Sequence, residues 1–168
     1  MSENYWIGKW QEAARHAEQF KNAKPFQHVV LDDFLPPVLA NLALHAFPPM
    51  NSDVWRVIGN EQTVRKGVIA YGPLDCKELQ FSPESMALFN FLMGCPMIKY
   101  LEALTGIAGL VPDGHFLEGG YHAIGPGGRL GIHADFSHHH RTGLERRLNL
   151  LLYLNHDWHE GYGGELGL

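Results

Sequence analysis

Cysteine is scarce in this chain of 168 residues, with Cys76 and Cys95 the whole supply. Two thiols so far apart, neither at ligand spacing from a partner, exclude a disulfide framework and a cysteine zinc site. They read as buried free thiols of a reducing compartment, so a cytoplasmic location is expected. Basic residues are also few, 13 Lys and Arg against 18 Asp and Glu, for a net charge of -5. Without a basic face, no nucleic-acid partner that binds through phosphate neutralisation is expected. No apolar run approaches membrane-spanning length, so no membrane partner is expected either. The N-terminal MSENYWIGKWQEAARHAEQF carries charge at Glu3, Lys9, Glu12 and Arg15 and lacks the apolar core of a secretory signal. Repeats, low-complexity tracts and linkers are missing too, and the length suits one globular domain over residues 1–168.

Histidine is present in force. Seven of the eleven (His122, His133, His138, His139, His140, His156 and His159) fall between residues 122 and 159, a crowding that directs attention to a metal.

Upstream the texture is helical. Trp10, Ala13, Ala14, Ala17 and Phe20 predict an amphipathic helix over residues 8–22, ended by Lys24-Pro25. A short strand is predicted at His28–Leu31, followed by a helix begun at Pro36-Pro37, where proline costs no hydrogen bond. Val54–Val57 and Val64–Tyr71 are predicted strands. Ser82-Pro83-Glu84 opens a helix to about Met93, and Pro96 starts another that ends at Gly106. From residue 107 strands are predicted at Ile107–Val111, His115–Ile124, Arg129–Phe136, Arg146–Leu154 and Glu165–Leu168, with glycine and proline in each connection. Helices first and strands last predict an α+β fold, a helix-rich support region at 1–106 and a β-rich core at 107–168, with helices on one side of an antiparallel sheet or barrel.

In RLGIHADF, alternation places Arg129, Gly131, His133 and Asp135 on one face and Leu130, Ile132, Ala134 and Phe136 on the other. An imidazole and a carboxylate two residues apart on one strand face can occupy adjacent positions around one ion, the arrangement of a facial triad with open positions. His-x-Asp alone is short and frequent, and by itself reads as an exposed strand face. The next strand adds to it. In RRLNLLLYLN the leucines at 148, 150, 152 and 154 share a face that predicts core, while Arg147, Asn149, Leu151 and Tyr153 share the other. That second face is either the wall of a polar cavity or a wet surface, and periodicity leaves both open.

The order GGRLGIHADF, a histidine-rich loop, RRLNLLLYLN, then W....GGEL resembles the 2-oxoglutarate/Fe(II)-dependent oxygenases, specifically the prolyl 4-hydroxylase-like branch. PFQHVVLDDFLPP resembles the strand-helix entry of bacterial members, so the likeness covers roughly residues 25–47 and 119–168. The resemblance implies an antiparallel double-stranded β-helix, the jelly-roll or cupin-like barrel. It implies His133 and Asp135 as catalytic iron ligands, Tyr153 as a hydrogen-bond partner of 2-oxoglutarate, and Asn149 as a further candidate for that pocket. SHHHRTGLE, residues 137–145, takes the place of a mobile loop over the substrate, and Trp158 with Gly163-Gly164-Glu165-Leu166 matches a hairpin returning into the barrel. Fe(II) and the cosubstrate 2-oxoglutarate are the implied cofactors, with ascorbate as an optional reductant, and the implied reaction hydroxylates a C–H of a prolyl-like, small-molecule or peptidyl substrate.

The resemblance also implies a later strand with a third ligand, a histidine, and a basic residue for the distal carboxylate of 2-oxoglutarate. Leu168 comes 33 residues after Asp135 without either, so the chain reads as C-terminally truncated, its last strands missing, and as inactive or nearly so by itself. His156 and His159 are expected in solvent, His138 to His140 on a loop surface or against substrate, and His122 as a satisfied structural histidine. Two other classes stay open: a non-catalytic jelly-roll binding or oligomerisation module, pairing into a homo-oligomer through an exposed sheet edge, and a zinc hydrolase or isomerase.

Overall fold

The computed structural model describes residues 3–52, 55–58, 66–68, 82–117, 119–125, 128 and 130–167. Its elements in chain order are α1 (Glu3–Asn22), α2 (Pro37–His45), β1 (Arg56–Ile58), β2 (Lys66–Val68), α3 (Pro83–Met93), α4 (Cys95–Thr105), β3 (His122–Ile124) and a 3-10 turn at Glu160–Tyr162. They fall into two compact units, Met1–Leu42 with Pro83–Gly114, and Ala43–Ser82 with His115–Leu168.

In the first unit α1 packs along α4, and α3 packs on α4. Helical periodicity explains the pairing: Trp6, Ala13 and Phe20 are buried on α1 and Met97, Tyr100 and Leu104 on α4, at spacings of seven and of three to four. Ala13 has no exposed surface, and its small side chain suits close approach of the two helices. Trp6 stacks on Phe91 with centroids 5.1 Å apart, and Phe34 lies 5.1 Å from Tyr100. Proline opens α3, while α4 ends at Gly106, whose left-handed φ of 73° suits glycine and whose N–H donates to the Glu102 carbonyl. At the α3–α4 junction a Cβ on Gly94 would sit 2.9 Å from the Asn90 carbonyl oxygen, so the tight turn needs glycine.

In the second unit β1, β2 and β3 form an antiparallel sheet in that order, with Arg56 opposite Val68 and Lys66 opposite Ile124. Along β3 Ala123 is buried between exposed His122 and Ile124, the alternation of a sheet with one covered face. Next to it, buried Tyr121 meets the Phe47 ring edge-on at 5.0 Å, and Phe47 in turn contacts Trp55 at 5.5 Å. The Trp55 indole N–H donates to the Pro49 carbonyl at 2.8 Å.

The expected jelly roll is not what forms. Helices dominate the described residues, and the strands are three short ones of three residues each. Of the strands predicted after residue 106, only His122–Ile124 appears among the described residues. The described parts of 107–111, 130–136, 146–154 and 165–167 carry no strand. A strand exists only through a ladder with a neighbour, and among the described residues the segments flanking the histidine-rich loop pair only at its base, by the His138–Glu145 bridge and the Arg146 N–H bond to the Ser137 carbonyl. The faces assigned to core accordingly stay open: Leu130, Ile132, Leu150 and Leu152 are exposed. Further upstream His28–Leu31 also lacks a strand, because Val29 and Leu31 pack against the helical core instead. Parts of the predicted strands Val54–Val57 and Val64–Tyr71 form β1 and β2; Val54, Val64, Arg65 and residues 69–71 lie outside the described residues, as do Cys76, Pro126, Gly127 and Arg129. Cys95, expected to be buried, is exposed. Among the described residues no helix is long and apolar enough to cross a membrane.

Two consequences are measurable. The Tyr100 hydroxyl is buried without a hydrogen-bond partner among the described residues, and burial, then the Glu12 charge, pushes its pKa up to about 12. A buried donor left unpaired costs about 1–3 kcal/mol, so Tyr100→Phe should leave stability to urea unchanged or raise it; a loss above about 1 kcal/mol would show that the hydroxyl is bonded. Glu102 accepts the Gly109 N–H at 2.7 Å and the Leu110 N–H at 3.1 Å, and these bonds hold its carboxyl below the ordinary 4.5. Because the folded value is depressed, the protection they give is complete above the ordinary value and fades as pH falls through the lowered one. Protection of the Gly109 and Leu110 amides, taken relative to their intrinsic exchange rates, should fall over that acidic range, and Glu102→Ala should remove that fall.

Candidate functional site

The site grows out of a turn. After Asp135 the chain reverses through residues 137–146, closed by hydrogen bonds from His139 N–H to the Leu144 carbonyl, Gly143 N–H to the His139 carbonyl and Arg146 N–H to the Ser137 carbonyl, each 2.8 Å. Gly143 has a φ of 69°, a conformation that an L side chain rarely takes. His139 is buried, and its Nδ1 accepts the N–H groups of Arg141 and Thr142, each at 3.2 Å. Since Nδ1 accepts, the ring proton belongs on Nε2. The expectation of a surface or substrate-contacting histidine therefore fails at 139, which builds the turn; His138 and His140 are exposed as expected.

That reversal brings Arg146 and Asn149 back to Asp135. One carboxylate oxygen, Oδ2, accepts from Arg146 Nη2 at 3.0 Å and from Asn149 Nδ2 at 3.3 Å. The other, Oδ1, lies 3.4 Å from His133 Nε2. His133 Nδ1 is 2.8 Å from the Gly131 carbonyl oxygen; a carbonyl only accepts, so Nδ1 carries the proton and Nε2 presents a lone pair. His133 Nε2 and Asp135 Oδ1 thus face each other across 3.4 Å, an arrangement that a hydrogen-bond donor or a cation between them makes attractive. A proton on Nε2 or a metal ion can serve. An imidazole and a carboxylate, each tied down by a hydrogen bond on its far side, are the donor types a divalent metal takes. His133 and Asp135 are 48% and 38% exposed, so a small ligand can reach them.

The remaining candidate residues are exposed. Asn149 donates to Asp135. Tyr153 is 62% exposed and makes no hydrogen bond among the described residues. His156 and His159 are exposed, with His159 against the Tyr162 ring at 3.7 Å. His122 occupies an exposed position of β3. The Trp158 indole N–H donates to the Gly163 carbonyl at 3.2 Å, closing a local turn where a returning hairpin was expected. No group of three His, Cys, Asp or Glu side chains suited to a metal occurs among the described residues.

Arg146 is the residue that strand logic misses. Alternation assigns it to the leucine face, opposite Asn149, yet both donate to one oxygen because the backbone there is not a strand. Its guanidinium lies 4.5 Å from the centre of the Phe136 ring, and the signal that could have found it is an arginine just after a turn that begins beside an aspartate.

No curated protein and no solved structure matches the chain. Over residues 119–168, the stretch that contains this site, the chain is similar to the 2OG-Fe(II) oxygenase superfamily, whose family model matches it.

Proposed function

We propose that the chain is a 2-oxoglutarate- and Fe(II)-dependent dioxygenase of the prolyl 4-hydroxylase-like branch, hydroxylating a C–H of a prolyl-like or other small or peptidyl substrate. The observation that carries this reading is the 3.4 Å approach of His133 Nε2 to Asp135 Oδ1 inside the stretch similar to the oxygenase superfamily. His133 and Asp135 would hold the iron, with a third protein ligand that is not among the described residues.

When bound, Fe(II) and 2-oxoglutarate supply oxidising power from dioxygen, the 2-oxo acid leaving as succinate and carbon dioxide while the substrate gains a hydroxyl oxygen. The chain's own residues prepare for this. The Gly131 carbonyl oxygen, 2.8 Å from His133 Nδ1, orients the ring so that Nε2 is the nitrogen turned toward Asp135. Asp135 brings the single negative charge of the pair. The exposed Tyr153 hydroxyl is free to hydrogen-bond a carboxylate of the cosubstrate. The two candidate ligands among the described residues would by themselves hold a divalent ion loosely, so turnover of 2-oxoglutarate by this chain should be slow if it occurs at all.

Anaerobic Fe(II) titration, followed by succinate release on admission of air, tests the proposal. His133→Ala and Asp135→Ala should each weaken Fe(II) binding by at least about tenfold and remove any turnover, and a strong chelator should do the same to the parent chain. Binding and turnover unchanged in either variant would sink the assignment. A chain indifferent to Fe(II) would be a non-catalytic binding module instead.

A further inference from the structure

The geometry assigns to Arg146 and Asn149 the task of deciding which oxygen of Asp135 meets the metal, an inference that rests on the iron-site reading above. In water the two oxygens of a carboxylate are equivalent. Here they are not: Oδ2 accepts from Arg146 Nη2 at 3.0 Å and from Asn149 Nδ2 at 3.3 Å, while Oδ1 faces His133 Nε2. With its lone pairs directed at two donors, Oδ2 is withdrawn from coordination. Asp135 is left to bind through Oδ1 alone, which keeps positions on the ion open for other ligands. Both are positioning residues, acting on the metal only through Asp135.

Arg146 is itself held in place. Its backbone N–H closes the base of the turn on the Ser137 carbonyl. Its guanidinium rests on the Phe136 ring at 4.5 Å and is only 22% exposed, a stacked arrangement that arginine adopts more readily than lysine. The second guanidinium nitrogen, Nη1, is buried with no hydrogen-bond partner among the described residues, a cost that an arginine placed for surface solvation would not carry.

Two effects of removing Arg146 oppose each other. Loss of a positive charge near a bound cation favours tighter binding; loss of carboxylate orientation disfavours it. The first is damped by solvent at a site 38–48% exposed. Removing partners that orient a ligand typically costs about 10–100-fold in metal affinity, so orientation wins and the sign of the change identifies the role.

The test uses the full chain with Mn(II), a stand-in for Fe(II) that resists oxidation, and electron paramagnetic resonance to count the free ion. Arg146→Ala should bind Mn(II) about 10–100-fold more weakly than the parent, and Asn149→Ala more weakly by a smaller factor. Arg146→Lys, which retains a cationic donor for Oδ2, should recover part of the loss. Urea unfolding shows whether each variant is folded; should Arg146→Ala fail to fold, exposed Asn149 carries the test, and unchanged affinity in Asn149→Ala overturns the inference. Equal or tighter binding by folded Arg146→Ala, with His133→Ala still deficient, overturns it too and leaves the iron-site reading standing. A parent chain that binds Mn(II) no better than His133→Ala overturns the iron-site reading itself.

Discussion

The hydrogen bond from Arg146 N–H to the Ser137 carbonyl sets the register of everything near the His133–Asp135 pair. Neither flanking segment is held by a strand ladder, so closure of the turn is what makes residues 14 apart neighbours. Once it closes, Asn149 reaches Asp135, the Arg146 guanidinium settles on Phe136, and Asp135 is turned toward His133. His139 supports this from within by capping two amides that the turn would otherwise leave exposed to competition from water.

The two units differ in what secures them. In the first, each helix satisfies its own backbone through bonds four residues apart, and the Trp6, Met97 and Tyr100 cluster has only to choose helix faces. Local signals suffice for such elements. Pro83 and Gly106 mark helix ends that the structure reproduces, and the spacing from Trp10 to Phe20 announces α1, although the helix begins earlier, at Glu3. In the second unit a backbone bond is made between segments distant in sequence, and alternation of side chains states only which face a strand would show. It does not supply the partner. Ile132 and Leu150 read as core in the sequence and are exposed in the fold for that reason.

The site was legible to the same degree. His-x-Asp spacing is local, and the two side chains do converge. Arg146 and Asn149 depend on how the turn over residues 137–146 closes, which no periodicity encodes, and strand alternation separates them. His139 is a similar case: three consecutive histidines look alike in sequence, and only the accepting Nδ1 distinguishes the middle one as a part of the turn.

The uncovered leucines carry a consequence for colloidal behaviour. Leu150, Leu151, Leu152 and Tyr153 form an exposed run without a charge, of the β-prone composition that recruits copies of itself into intermolecular sheets. Arg146 and Arg147 stand shortly before it and Asp157 shortly after, where charged gatekeepers blunt such growth. Exposed Arg147 and Asp157 are therefore charges that keep neighbouring molecules from stacking, and salt, by screening them, lowers how concentrated a solution of this chain can become.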